Sequence, residues 1–272
     1  MVTSFTPSSL KEALELRKNP ALTPHAGGTD LMVEGREDAS YLFLNKVPEM
    51  KGIVEDGEYI RFGAAVTFTE AIKHPLSPPI LKEACLQIAA PAIRNMGTLG
   101  GNVGNGSPKA DSALIFMVTD AKLRLASAAG ERILPIKAFY LGRKKLAIGP
   151  DELIVEILLP KTGAENYYYK KVGARNALAI SRVSFAGILD IKDGKIQNCA
   201  TAFGAVSDTI LRFDALDRML IGKTPAEAKE VKEAYLSALD QAIIPIRGRV
   251  GAAYRKDVCL NLVDDFLKSN GI

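Results

Sequence analysis

Apolar positions recur at helical spacing in several parts of the chain. Ser9 is followed three residues later by Glu12, a capping box that predicts a helix, and Pro20 ends it. A second capping box joins Thr224 and Glu227, so another helix is predicted to begin there. Both segments place polar residues between the apolar ones, as expected for helices that pack one face on a core.

Two further helices are predicted from apolar stripes. A run over residues 80–90 predicts a longer helix that Pro91 breaks. Near the C-terminus, four residues recur at i, i+4 spacing and predict a helix whose apolar stripe faces a sheet. These residues are Tyr254, Val258, Leu262 and Phe266.

Strand patterns dominate the start of the C-terminal part. Apolar runs over residues 183–191 and 196–206 flank the dipeptide Asp193-Gly194, which is a strong signal for a hairpin turn. A third run covers residues 167–172. Together they predict a small domain with an antiparallel sheet of three or four strands covered by helices.

The chain has 272 residues, a length that suits two modest domains or one large one. The segment over residues 161–166 is polar and contains Gly163, so we expect the domain boundary there. The predicted domains are residues 1–162 and residues 163–272. Helices and strands are mixed in both, and the predicted fold class is α+β.

Composition narrows the classes of function. A net charge of +4 is too small to favour nucleic acid or a membrane surface as a partner. The scattered cysteines Cys85, Cys199 and Cys259 argue against a disulfide framework, a zinc site or an iron–sulfur cluster in this chain. The N-terminus lacks a signal-peptide pattern and no apolar run approaches ~18 residues, so we expect a cytoplasmic protein without a membrane span.

Two glycine-rich stretches carry the candidate chemistry: PHAGGTDL at residues 24–31 and RNMGTLGGNVGNGSPKAD at residues 94–111. Glycine adopts φ > 0 without steric cost, and such turns bring backbone N–H groups together around an anion such as a diphosphate. The P-loop template fails because Ser107 and Pro108 follow Gly106, and no GxGxxG is completed. A glycine-rich turn without a ligand is the alternative at this point.

The paired motifs AGGTD and TLGGN, with SPxxD after the second, resemble the flavoprotein (medium) subunits of the molybdenum hydroxylases. Xanthine dehydrogenase and carbon monoxide dehydrogenase belong to that family, and the resemblance covers essentially the whole chain. It implies FAD as a non-covalent cofactor. It also implies a PCMH-type (vanillyl-alcohol-oxidase-like) FAD-binding domain of two α/β subdomains, followed by a domain like the C-terminal domain of carbon monoxide dehydrogenase flavoprotein.

The resemblance implies a cofactor site built from both glycine motifs and three later positions. Backbone N–H groups of the motifs would hold the diphosphate and ribityl chain of FAD, and Asp111 would accept hydrogen bonds from the cofactor. A positive charge at Lys171 would favour the reduced flavin. The implied site residues are Ala26, Gly27, Gly28, Thr29, Asp30, Leu31, Thr98, Leu99, Gly100, Gly101, Asn102, Asp111, Ile154 and Lys171.

The three later positions also have structural interpretations. Asp111 suits the N-cap of a helix that starts at Ser112, and Lys171 suits an exposed strand position in a solvent ion pair. Ile154 suits simple core packing. No catalytic residue and no metal ligand is expected in this chain.

The implied reaction is electron transfer. By resemblance, a large partner subunit with molybdopterin oxidises the substrate, and a small subunit with two [2Fe–2S] clusters relays electrons to FAD in this chain. NAD or another acceptor then receives them. The ISRV sequence at residues 180–183 resembles purine- and nicotinate-type members of the family, and this resemblance implies a purine or another N-heterocycle as the substrate of the complex.

Two other functions stay open from the sequence. One is a stand-alone FAD-dependent oxidoreductase of the vanillyl-alcohol-oxidase superfamily, although the roughly 110 residues after the boundary leave little room for a substrate-binding cap. The other is a non-catalytic assembly module that has lost FAD, against which the intact glycine motifs argue.

Overall fold

The computed structural model describes residues 3–35, 38–161, 163–246, 248 and 250–272. The helices are α1 (Leu10–Arg17), α2 (Leu31–Glu34), α3 (Phe68–Lys73), α4 (Pro79–Leu86), α5 (Pro91–Arg94), α6 (Leu99–Gly104), α7 (Asp111–Val118), α8 (Asp214–Asp217), α9 (Pro225–Glu230), α10 (Lys232–Ala242) and α11 (Ala252–Ser269). Short 3₁₀ helices cover Pro48–Met50 and Ile136–Ala138.

The strands form four sheets within the described ranges. They are β1 (Leu22–His25), β2 (Ser40–Phe43), β3 (Ile53–Asp56), β4 (Tyr59–Gly63), β5 (Lys122–Ser127), β6 (Gly130–Pro135), β7 (Tyr140–Gly142), β8 (Lys145–Leu146), β9 (Leu153–Pro160), β10 (Tyr167–Val172), β11 (Val183–Lys192), β12 (Lys195–Gly204) and β13 (Leu211–Arg212).

The N-terminal part contains a parallel pair and a larger antiparallel sheet. β1 and β2 pair in parallel, whereas five strands form an antiparallel sheet in the order β3-β4-β9-β5-β6. β9 is apolar and mostly buried, which places it in the middle of that sheet. Its one acidic residue, Glu156, accepts hydrogen bonds from Arg61 and Arg124 on the two flanking strands at 2.7 and 2.8 Å.

Helix α7 connects the two halves of the molecule. All eight of its residues are buried, as its sequence DSALIFMV predicts for a helix that is apolar on nearly every side. The Phe116 ring lies 6.5 Å from the Phe62 ring of the five-stranded sheet. The same apolar cluster includes Ala186 and Ala202 of the C-terminal sheet, so one core extends through both halves.

The C-terminal part matches its prediction closely. β10, β11, β12 and β13 form a four-stranded antiparallel sheet, with the predicted hairpin at Asp193 and Gly194, which have φ values of 54° and 75°. α7 covers one face, and Phe266 of α11 packs against Phe185 on the other with a ring separation of 5.8 Å. The expected sheet covered by helices is confirmed.

The predicted helix over residues 80–90 is too long. α4 ends at Leu86, and the chain then turns through Ala89, which has a φ of 41°. Ala90 adopts an extended conformation, which the following proline favours. The apolar run therefore continues beyond the helix into a turn, which an apolar pattern alone does not distinguish from helix.

The predicted stripe on the last helix is wrong at its first residue. Tyr254 is 41% exposed, whereas Cys259, Val263, Phe266 and Leu267 of α11 are buried. Steps of four residues turn a helix by about 40° beyond a full circle, so three such steps move a residue to a different face. None of the described helices is both long and apolar enough to cross a membrane.

The expected boundary at residues 162 and 163 falls on Thr162, which lies outside the described residues. The flanking strands, β9 and β10, belong to different sheets.

A buried carboxylate accepts several hydrogen bonds on the face of the C-terminal sheet that α11 covers. Asp217 is 1% exposed and accepts hydrogen bonds from the backbone N–H and the hydroxyl of Thr201 at 3.0 and 2.7 Å. The Tyr235 hydroxyl donates a third at 2.8 Å. The Arg212 guanidinium, itself buried, forms an ion pair with the same carboxylate.

Replacing Asp217 by Asn should lower the free energy of unfolding by roughly 3 kcal/mol, because the buried Arg212 charge loses its main partner. The change is measured by urea unfolding followed by circular dichroism. Glu15→Gln is the control, since Glu15 and its partner Lys18 are both more than half exposed and such pairs contribute under about 1 kcal/mol. Equal unfolding midpoints for the two variants would contradict the assignment.

Candidate functional site

A groove of about 560 Å³ runs between the two glycine-rich stretches. Its lining comes from residues 23–31, from α6, whose surface we call the floor, and from residues 144–154. Part of the lining is an apolar group from α3 and the α4–α5 region, namely Phe68, Ile88, Ala89 and Ile93, which we call the apolar end. The volume lies within the range of small-molecule and cofactor sites in proteins.

Two glycines allow close packing at the groove: Gly27 joins the two stretches, and Gly100 packs α6 against Ala64, just after β4. A Cβ on Gly27 would lie 1.9 Å from the carbonyl oxygen of Met96, and one on Gly100 would lie 2.4 Å from the Cβ of Ala64. Neither position has room for any side chain. The Asn105 side-chain amide also donates a hydrogen bond to Asp30, which ties the end of α6 to the first stretch.

The first stretch presents a row of free donors. Within the described part of the chain, no protein acceptor takes the backbone N–H groups of residues 26–31, which line the groove. Buried and half-buried N–H groups in folded proteins almost always have a partner. Successive amides of this kind form a concave site for an anion, which matches the expected binding of a diphosphate.

The second stretch differs from its expected role. The N–H groups of residues 99–102 already donate to protein acceptors, namely the carbonyl oxygens of Val66, Ala64 and Thr98 and the Thr98 hydroxyl, at 2.9–3.0 Å. The prediction that these amides hold a diphosphate is therefore corrected: they fix α6 in place. Helix α6 therefore contributes to the groove through its surface and not through free N–H groups.

That surface consists largely of glycine. Gly101 and Gly104 are exposed and lie three residues apart, so they share one face of α6. A Cβ on Gly104 would meet only the Cδ1 of Ile154 at 3.4 Å, which is ordinary contact. The protein itself leaves room for a side chain there, so a bound ligand explains the glycine better than packing does.

The structure places most implied site residues on the groove and three behind it. The residues that line it are Ala26, Gly27, Gly28, Thr29, Asp30, Leu31, Thr98, Gly100, Gly101, Asn102 and Ile154. Leu99 is fully buried in the core beneath α6. Asp111 and Lys171 lie outside the lining, and their direct contact with a cofactor stays a prediction.

Asp111 and Lys171 form an ion pair with each other. The Lys171 Nζ lies 2.7 Å from the Asp111 carboxylate, and both side chains are less than a tenth exposed. The Ser181 hydroxyl donates to the same carboxylate at 2.8 Å. Burial raises the pKa of the Asp111 carboxyl, and the Lys171 charge offsets part of that rise. The N-cap of α7 is Ala110, so the capping role considered for Asp111 is wrong.

Charged residues at the groove were missed by sequence reasoning. Arg17 is buried and donates to the carbonyl oxygen of Leu22 at 2.8 Å, which fixes the start of β1. Lys144 pairs with Glu34 at 3.0 Å and so links the β7–β8 turn to α2 across the groove mouth. Arg17 at an apolar-spaced position of α1 was a weak signal in the sequence. The Lys144–Glu34 pair spans 110 residues, and no local pattern predicts it.

Two known families of protein domains match the chain. The family of FAD binding domains in molybdopterin dehydrogenase matches residues 1–162, and the carbon monoxide dehydrogenase flavoprotein C-terminal domain matches residues 167–269. The chain belongs to this family. It is an FAD-binding medium subunit of the xanthine dehydrogenase and carbon monoxide dehydrogenase type, and its cofactor is FAD.

Individual relatives agree with this assignment. The xanthine dehydrogenase FAD-binding subunit of Escherichia coli O157:H7 is 33% identical over 217 residues, which cover 75% of this chain and 74% of the relative. The nicotinate dehydrogenase FAD-subunit of Eubacterium barkeri is 28% identical and covers 93% of this chain and 90% of its own. Carbon monoxide dehydrogenase from Hydrogenophaga pseudoflava superposes with a TM-score of 0.89 at 26% identity, covering 97% and 95% of the two chains.

FAD fits the groove of this flavoprotein subunit on three observations. The free N–H groups of residues 26–31 suit the diphosphate, and the glycine face of α6 allows the close approach of a long ligand. The apolar end suits an aromatic ring system. The chain therefore offers free donors for the diphosphate and an apolar surface for a ring system of the same cofactor.

The two kinds of glycine should respond differently to alanine. Gly104→Ala should keep the thermal stability of wild type and lower FAD affinity by about tenfold, because its methyl group occupies the floor of the groove. Gly27→Ala should lower both the thermal midpoint and FAD affinity, because its methyl group separates the two stretches. Apoprotein melting and fluorescence titration with FAD measure the two effects. A Gly104→Ala variant that binds FAD normally would rule out this path for the cofactor.

The side of the groove near Glu152 should be sensitive to acid. The Arg132 guanidinium, and the Gly149 N–H at 2.6 Å, lower the pKa of the Glu152 carboxyl. Because the folded pKa is depressed, the stabilisation is present above the unfolded value of about 4.3 and is lost as pH falls through the folded value.

Glu152→Gln should therefore be less stable than wild type at pH 7 by up to about 1 kcal/mol, and the difference should vanish toward pH 3. Urea unfolding at a series of pH values measures it. High salt should shrink the difference at pH 7, since the Arg132 side chain is 46% exposed. A stability difference between the two proteins that increases as the pH falls would contradict this prediction.

Proposed function

We propose that this chain is the electron-transfer subunit of a multi-subunit molybdenum hydroxylase. It takes electrons from [2Fe–2S] clusters of a small partner subunit and passes them to NAD or another acceptor, while a molybdopterin-binding large subunit oxidises the substrate. FAD supplies the redox chemistry when bound, and the protein supplies binding and orientation. The family membership and the names of the relatives as subunits and medium chains support this proposal.

The observation that carries the proposal is the position of the apolar end of the groove. Free amides suit the diphosphate, which lies between the two ring systems of FAD, and we place the flavin ring among the apolar residues Phe68, Ile88, Ala89 and Ile93. That end reaches the surface, where Ile93 is 39% exposed and neighbouring Met96 is 57% exposed. An electron donor on a partner subunit can therefore approach the ring.

The chain's own residues would bind and orient the cofactor. Residues 26–31 donate backbone N–H groups to the diphosphate, and Ile154 contacts the cofactor from the segment over residues 144–154. We propose residues 1–162 as the FAD-binding domain and residues 163–272 as the C-terminal domain. No group of three or more potential metal ligands occurs among the described residues, so the metal centres of the complex are assigned to its partner subunits.

The substrate class follows from the relatives at the level of a proposal. Two of the three relatives named above act on xanthine and nicotinate by their names, both of which are N-heterocycles, and the third is named for carbon monoxide. We propose a purine or another N-heterocycle as the substrate of the complex. The stand-alone oxidoreductase and the assembly module are the alternatives.

Purification of the native complex through a tag on this chain tests the proposal. The complex should contain FAD, molybdenum and iron, and a purine or N-heterocycle should bleach its flavin absorption. The same chain purified alone and loaded with FAD should show no bleaching with those substrates. Bleaching of the isolated chain would favour a stand-alone oxidoreductase, and a chain that stays colourless with added FAD would favour an assembly module.

A further inference from the structure

The apolar end of the groove is built on an unusual turn. Ile88 and Ala89 line the groove, and they belong to the short connection between α4 and α5. Ala89 has a φ of 41°, in the left-handed region that is unfavourable for a residue with a Cβ. Ile88 is half-buried and packs against the main apolar cluster, whereas Ala89, which carries the positive φ, is half-buried and does not belong to that cluster.

Two cations hold the carbonyl groups of this turn. The Arg94 Nη1 donates to the carbonyl oxygens of Ile88 and Ala89 at 2.8 and 2.7 Å. The Lys171 Nζ donates to the carbonyl oxygen of Gln87 at 2.9 Å. Three consecutive carbonyl oxygens are therefore engaged by cations that lie outside the groove lining.

The two cations differ in their other contacts. Lys171 comes from β10 of the C-terminal sheet and is fixed by its ion pair with Asp111. Arg94 ends α5, and within the described residues no carboxylate lies within ion-pairing distance of it. Its contacts are to neutral carbonyl groups of the turn, so removing Arg94 leaves no buried carboxylate without a partner.

We propose that Arg94 and Lys171 are positioning residues for the flavin ring. They hold the strained turn over residues 87–89 so that Ile88 and Ala89 form a preorganised surface at the apolar end of the groove. Lys171 then acts through the turn, and its charge is balanced by Asp111. This inference rests on the FAD site proposed above.

The positive φ of Ala89 allows an experiment that distinguishes a clamped turn from a general folding effect. Glycine adopts a positive φ without steric cost, so Ala89→Gly reduces the need for a clamp. Arg94→Met should lower FAD affinity by about tenfold and change the visible circular dichroism of the bound flavin. The double variant Arg94→Met/Ala89→Gly should bind FAD about threefold more tightly than Arg94→Met. The single variant Ala89→Gly completes the double-mutant cycle.

Fluorescence titration and visible circular dichroism of the full chain measure both effects, with Arg218→Met as a control at an exposed arginine outside the groove. Thermal melting of each apoprotein separates a folding defect from a local one. Normal FAD affinity and an unchanged spectrum in Arg94→Met would overturn the inference while leaving the cofactor site intact. Loss without recovery in the double variant would overturn it too. A wild type that fails to bind FAD would remove the proposed function and this inference together.

Discussion

The groove depends on the contact between two backbones with no side chain between them. Gly27 lies against the carbonyl group of Met96, and Gly100 lies against Ala64. These contacts place the free N–H groups of residues 26–31 above the floor formed by α6. The amides of α6 are used to hold that helix in place, so the two motifs divide the work. The first supplies donors, and the second supplies a smooth surface at the right distance.

The C-terminal part contributes to the groove from behind. α7 is buried on all sides and joins both sheets in one core, which fixes β10 relative to the groove. Lys171 on β10 reaches the carbonyl oxygen of Gln87 at the back of the apolar end. Because Lys171 is paired with Asp111, the net electrostatic effect of its charge at the groove is small. A change in the C-terminal sheet therefore affects the site through the backbone of a turn.

Local chemistry made much of this structure predictable. The hairpin at Asp193 and Gly194 and the helix that begins after Thr224 follow from turn and capping rules, and both are present. The glycine motifs predicted two of the segments that line the groove, and their use as the FAD site stays a prediction. The end of α4, the pairing of Asp111 with Lys171 and the Lys144–Glu34 bridge were not predictable. Each depends on contacts between distant segments or on a backbone angle that apolar spacing does not reveal.

The unpaired amides of the first glycine stretch should affect the abundance of the protein in a cell. Without a ligand these donors must be hydrated, which makes residues 26–31 a region of low local stability in the apoprotein. A ligand that binds only the folded state stabilises it by mass action, and unfolded chains are removed by proteases. The steady-state amount of this subunit should therefore depend on the supply of FAD.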